Sequence, residues 1–188
     1  MTNVMLDIET LGTAPGSAII AIGAVAFEWI GAEKSAFYAN VDHKTCESAG
    51  LKVDPETVKW WSSQRPEAIA ALKPNKLPLV TAMSEFTKWF RASGGVYVWA
   101  QGANFDPPLM EAAARAVGAT LPWRYYNVRD TRTLYDIANQ FGFDTRNFVI
   151  DRIEHNALDD ARHQVRLVCA AMQAVVRRPS GQMPDLFA

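Results

Sequence analysis

The chain's 188 residues suit one domain with a real hydrophobic core, and 49% hydrophobic against 21% charged residues excludes an intrinsically disordered chain. A formal net charge of −1 excludes a global positive field, so a polynucleotide partner has to be met by a local basic patch or by bound cations. Cys46 and Cys169 lack CxxC-type spacing, which excludes a disulfide framework and a cysteine metal site. The longest apolar run, residues 18–27, is too short to span a bilayer, and Asp7 and Glu9 follow the first residue too closely for a signal peptide. A cytoplasmic protein with no membrane partner is the expectation.

Residues 4–8 read as a short strand and residues 18–29 as a second, rich in Ile, Val and Ala. Gly31 marks a turn, and alternation over residues 35–41 gives a third strand; the short connections favour antiparallel pairing. Asp54-Pro55-Glu56 opens a helix, with Asp as N-cap and Pro at the first helical position, and Arg65-Pro66-Glu67 opens another. Residues 81–92 form a third, ended by Gly94-Gly95. Residues 96–100 are a wholly apolar strand, as a strand covered on both faces requires. Helices follow at 107–117, closed by Gly118, at 130–141, closed by Gly142, and at 156–176. The predicted fold class is α/β: a mixed central sheet with three antiparallel strands at its N-terminal end and helices packed on it. Residues 1–176 form one domain, and residues 177–188, with Pro179, Gly181 and Pro184, a flexible tail.

Asp7 and Glu9 are two apart on the first strand, so both carboxylates share one face while Ile8 points to the core. Two carboxylates that close repel each other and persist best beside a cation, and hard oxygen donors favour Mg²⁺ or Mn²⁺. Asn104-Phe105-Asp106-Pro107 follows the apolar strand, where Asp before Pro is also a standard helix cap. Asn156 caps the last helix, leaving His155 just outside it and Asp159 and Asp160 in its first turn, where the helix dipole favours acids. Imidazole exchanges a proton near neutral pH, which suits His155 to general-base work. Helical periodicity leaves Asp159 and Asp160 equal as metal ligands, since they flank the apolar stripe symmetrically.

Taken together, Asp7-Ile8-Glu9-Thr10-Leu11-Gly12, Asn104-Phe105-Asp106 and His155-x4-Asp160 resemble, in order and wording, the three motifs of the DEDDh exonucleases. The run Asp130-Thr131-Arg132-Thr133-Leu134 also resembles a segment common between that family's second and third motifs. The likeness is closest to the small bacterial and phage subgroup that includes phage exonuclease A, to which Trp60-Trp61 contributes. The resemblance implies a ribonuclease H-like fold and 3′–5′ exonuclease activity on single-stranded RNA or DNA. It implies two Mg²⁺ or Mn²⁺ ions per site, held by Asp7, Glu9, Asp106 and Asp160, with His155 as the base. The family's spacing from His155 selects Asp160 over Asp159. Thr10, Leu11 and Asn104 would bind the terminal nucleotide, and at most one of Trp60 and Trp61 would stack on it. A homodimer is a further expectation of the resemblance.

Two other readings stay open: a phosphohydrolase acting on small nucleotides or nucleotide-capped ends, and a non-catalytic nucleic-acid-binding module on the same fold. The complete acidic set disfavours the module, which has no use for uncompensated carboxylates beside phosphates. Finally, Gln182-Met183-Pro184-Asp185-Leu186-Phe187 resembles the short Gln…Leu-Phe peptides with which bacterial replication proteins engage the sliding clamp, with spacing one residue long. A sliding-clamp-like protein is therefore a further candidate partner.

Overall fold

Strand β1 (Thr2–Thr10) alternates between two apolar layers: Val4, Leu6 and Ile8 enter one buried cluster and Met5 the other. Both faces of the strand are therefore covered, as in sheets with helices packed on either side. It pairs antiparallel with β2 (Ile19–Phe27), which pairs antiparallel with β3 (Glu33–Asn40), and parallel with β4 (Gly95–Ala100). A short β5 (Val128–Asp130) runs parallel to β4 at the far edge, giving the order β3-β2-β1-β4-β5. The computed structural model describes residues 2–29, 31–148 and 153–177.

Helices α1 (His43–Ser48), α2 (Pro55–Ser62), α3 (Pro66–Ala71), α4 (Leu79–Ala92) and α5 (Asp106–Ala116) belong to the first connections. Of these, α1, α2, α4 and α5 send Cys46, Trp61, Phe86, Phe90 and Leu109 into the cluster of Val4, Leu6 and Ile8. On the other face, α6 (Thr131–Gln140) and α7 (Ala157–Val176) bury Leu134, Val165 and Val168 against Met5, Val25 and Phe27. The mixed sheet with three opening antiparallel strands is thus as expected. So are the caps of α2 and α7: Asp54 accepts from Glu56 N, and Asn156 from Leu158 N and Asp159 N.

Three local expectations are corrected. Strand β1 runs two residues beyond residues 4–8 at each end: β2 alone pairs its far end through Glu9 and Thr10, while β4 pairs only residues 2–5. Strand β5 and helix α1 have no apolar run long enough to announce them in the sequence. Helix α5 starts at Asp106 itself; Phe105 is at the cap position and gives no side-chain hydrogen bond, so Asp106 is not the cap. Helix α7 ends at Val176, and the tail motif from Gln182 to Phe187 lies outside the described residues. No helix among the described residues is long and apolar enough to cross a membrane.

Candidate active site

The strand's period of two puts Asp7 and Glu9 on the face of β1 that Met5 shares, toward α7. Helix α7 reaches that face because β2 carries a glycine where the two meet. Gly23 is the register partner of Asp7. A Cβ at residue 23 would stand 2.2 Å from the Ala157 carbonyl carbon and 2.4 Å from Leu158 N. Glycine alone admits the first turn of α7 this close to the sheet. That approach delivers Asp160, so that one oxygen each of Asp7, Glu9 and Asp160 lie within 4.8 Å of one another.

Asp106 opens α5 at the end of the β4–α5 connection, and its Oδ1 accepts the β1 backbone N–H of Ile8 at 3.1 Å. The same connection is pinned from the other side. Asp130 Oδ2 accepts Ala103 N–H at 2.7 Å while its Oδ1 caps α6 by accepting from Arg132 N and Thr133 N. His155 precedes the α7 cap with φ of 63°, a left-handed conformation that costs a non-glycine residue ~1–3 kcal/mol. Its backbone N–H donates to Asp160 Oδ2 at 2.8 Å, and its ring sits edge-on to Trp60, centroids 4.9 Å apart.

Asp7, Glu9 and Asp106 hold protons far more tightly than free carboxylates do. Burial, then the Asp106, Glu9 and Asp160 carboxylates, push Asp7 well above its ordinary value against the opposing N–H of Gln164. Burial, then Asp160 and Asp106, push Glu9 up to about 8. Burial pushes Asp106 up to about 7, offset in part by the Ile8 N–H and by Arg132. Crowded negative charge of this kind, built from oxygen donors alone, suits a hard divalent cation, and the residues present fit one.

Asp7, Glu9, Asp106, His155 and Asp160 line one cavity of about 570 Å³, whose rim also carries Gln101, Arg132 and Arg146. Ile8, Glu9 and Phe105 are shared with a second cavity of about 510 Å³, walled by Thr10, Trp60 and Trp61. Trp61 is 7% exposed and its Nε1 donates to the Thr10 carbonyl at 2.9 Å; Trp60 is 45% exposed. The adjacent indoles therefore have different fates, one locked to the end of β1 and one with an open face. Leu11 is packed in the core and Asn104 is exposed on its loop, and neither lines these two cavities. Phe105 packs on the core and lines both cavities. Asp159 is set apart from the acids' cavity, its carboxylate 4.0 Å from Arg162.

Sequence reasoning missed Gly23, Gln164 and Arg132. A glycine inside an apolar strand is a signal of close backbone approach, and Gln164 stands one helical turn from Asp160 on the same face. Arg132 carries no signal of its own beyond its place in the 130–134 run.

No curated protein matches the sequence. Among solved structures, the chain is similar to the nuclease domain of 3′hExo, a DEDDh family member, bound to rAMP, at 13% identity over 92% of each chain with a TM-score of 0.56. It is similar to S. pombe Pop2p in its Mg²⁺- and Mn²⁺-bound form, at 15% identity over 91% of this chain and 82% of that one, with a TM-score of 0.53. It is similar also to E. coli ExoI in a complex with ssDNA, at 14% identity and a TM-score of 0.57, where 95% of this chain spans 41% of the larger protein. These likenesses show a shared ribonuclease H-like fold. Residues 2–172, all of the described body except the last turn of α7, match the family model of the 3′-5′ exoribonuclease Rv2179c-like domain, and the chain belongs to that family.

Proposed function

We propose that residues 1–176 form a two-metal 3′–5′ exonuclease, which hydrolyses single-stranded RNA or DNA from its 3′ end to nucleoside 5′-monophosphates. The observation that carries this reading is the convergence of Asp7, Glu9 and Asp160 within 4.8 Å, with Asp106 held on the same strand through Ile8 N. Asp7, Glu9 and Asp160, with Asp106 beside them, would hold two Mg²⁺ or Mn²⁺ ions. A pair of such ions, when bound, supplies charge stabilisation to the attacking and leaving oxygens of an in-line displacement at phosphorus.

The chain's own residues do the rest. His155 takes the proton of the attacking water, and its backbone bond to Asp160 keeps the imidazole beside the acids. Trp60, Trp61, Phe105 and Thr10 enclose the terminal nucleoside in the second cavity. Arg132 and Arg146 face the phosphates that lead away from it. Two cavities of opposite lining, joined at Glu9, suit a chain whose last nucleoside and scissile phosphate sit side by side.

Digestion of 3′- and 5′-labelled RNA and DNA strands with Mg²⁺ or Mn²⁺, and again with EDTA, tests the reading. A ladder shortening from the 3′ end, abolished by EDTA, is the expected result. Turnover of mononucleotides without a ladder would replace it with the phosphohydrolase reading. His155→Ala should lower kcat by roughly 10²–10⁴-fold while calorimetric Mn²⁺ affinity stays near that of the parent. Trp60→Ala should act mainly on KM for oligonucleotides, because one stacked base contributes ~1–3 kcal/mol.

A further inference from the structure

Gln164 follows Asp160 by one turn on the same face of α7 and is 5% exposed. Its Nε2 donates to Asp7 Oδ1 at 2.7 Å, joining residues 157 positions apart. Its Oε1 is buried and has no hydrogen-bond partner among the described residues. The packing register explains the position. Along the inner face of β1 the order is Glu9, Asp7, Met5; along α7 it is Asp160, Gln164, Val168, with Met5 and Val168 in one apolar cluster. Gln164 is thus the last polar layer between the carboxylates and the core. A buried carbonyl oxygen left unpaired is destabilising, a cost that a leucine here would avoid.

We propose that Gln164 is a positioning residue for the metal-dependent reaction: its N–H holds Asp7 Oδ1 and so sets the plane of the carboxylate that receives the cation. The proposal rests on the reading given under Proposed function. Only an uncharged donor fits this role. Lysine or arginine would neutralise Asp7 and compete with the cation, glutamate would add like charge against it, and an aliphatic side chain would leave the carboxylate free to turn. Outer partners of metal ligands act in this way, and their removal typically costs 10–100-fold in affinity or rate.

The test is a calorimetric Mn²⁺ titration of the metal-free protein, paired with thermal melts and with kcat and KM. Gln164→Met should weaken Mn²⁺ binding by roughly 10–100-fold, without lowering the melting temperature, since it also removes the unpaired carbonyl. Its kcat should recover as Mn²⁺ is raised, with KM for the oligonucleotide unchanged. Gln164→Lys should abolish Mn²⁺ binding while raising the melting temperature of the metal-free protein, an opposite pair of effects that mere packing does not produce. Should Gln164→Met fail to fold, Mn²⁺ binding retained by Gln164→Lys overturns the proposal. It is overturned equally by a folded Gln164→Met of parental Mn²⁺ affinity, and the exonuclease reading then stands. If the parent and Asp7→Asn bind Mn²⁺ alike, or not at all, the underlying metal reading falls and the proposal with it.

Discussion

Asp7→Asn is expected to abolish turnover and, in the metal-free protein, to raise the melting temperature. Both effects have one cause. Asp7 is buried against Asp106, Glu9 and Asp160, each of which pushes its proton affinity up, so its charge is a source of cation affinity and of internal repulsion at once. Asparagine keeps the shape and still accepts from Gln164, but removes the charge. The pH dependence has a definite sign. The Asp7, Glu9 and Asp106 carboxyls have folded-state values above their unfolded ones, so their contribution to stability is complete below about pH 4 and is lost as pH rises. The loss continues through about 7 for Asp106 and about 8 for Glu9. Each unit of elevation corresponds to ~1.4 kcal/mol, and each kcal/mol to roughly 2–4 °C in a chain this long. Calorimetry in chelator should therefore show the parent melting several degrees lower at pH 8 than at pH 5.5. Asp7→Asn should show a shallower slope, and added Mn²⁺ should restore the parent at neutral pH by binding the folded state alone. A metal-free parent that gains stability across this interval contradicts the account.

Gly23→Ala should lower kcat about 100-fold or more, since misplacing catalytic groups by 1 Å costs on that order. The added methyl would meet backbone on α7, at Ala157 and Leu158, which cannot swing aside as a side chain does. The helix must lift from the sheet, and it carries His155 and Asp160 away from Asp7 and Glu9. Gly95→Ala is the control. There the methyl meets the Phe90 ring at 2.7–2.9 Å, in the cluster on the opposite face of the sheet. Overpacking of either kind costs ~1–3 kcal/mol, so both variants should melt lower. Only Gly23→Ala should also lose Mn²⁺ affinity and turnover per folded molecule. Equal specific activity in the two variants would remove Gly23 from the site.

The parts of the site that were legible in the sequence are those governed by local rules. The period of a strand aligned Asp7 with Glu9, and the capping preference of Asn fixed the start of α7 and hence the place of His155. Asp106 was harder, because Asp before Pro reads as a cap, whereas its carboxylate binds the N–H of Ile8, 98 positions away. Asp159 and Asp160 are equal by periodicity; Asp160 meets the β1 acids, whereas Asp159 lies beside Arg162 of its own helix. Leu11, next to the first motif, belongs to the core. Strand β5 and Gln164 depend on partners distant in the chain, and no local pattern encodes a distant partner.

The bond between Gln164 and Asp7 also has a bearing on biosynthesis. Polypeptides leave the ribosome N-terminus first, so the strand with Asp7 emerges before the helix with Asp160. Until that helix docks, three acids stand without their fourth and without the histidine. Under the proposed chemistry, a nascent chain that has not yet yielded α7 is inert toward the messenger and ribosomal RNA around it, and competence to cut arrives only when that helix docks.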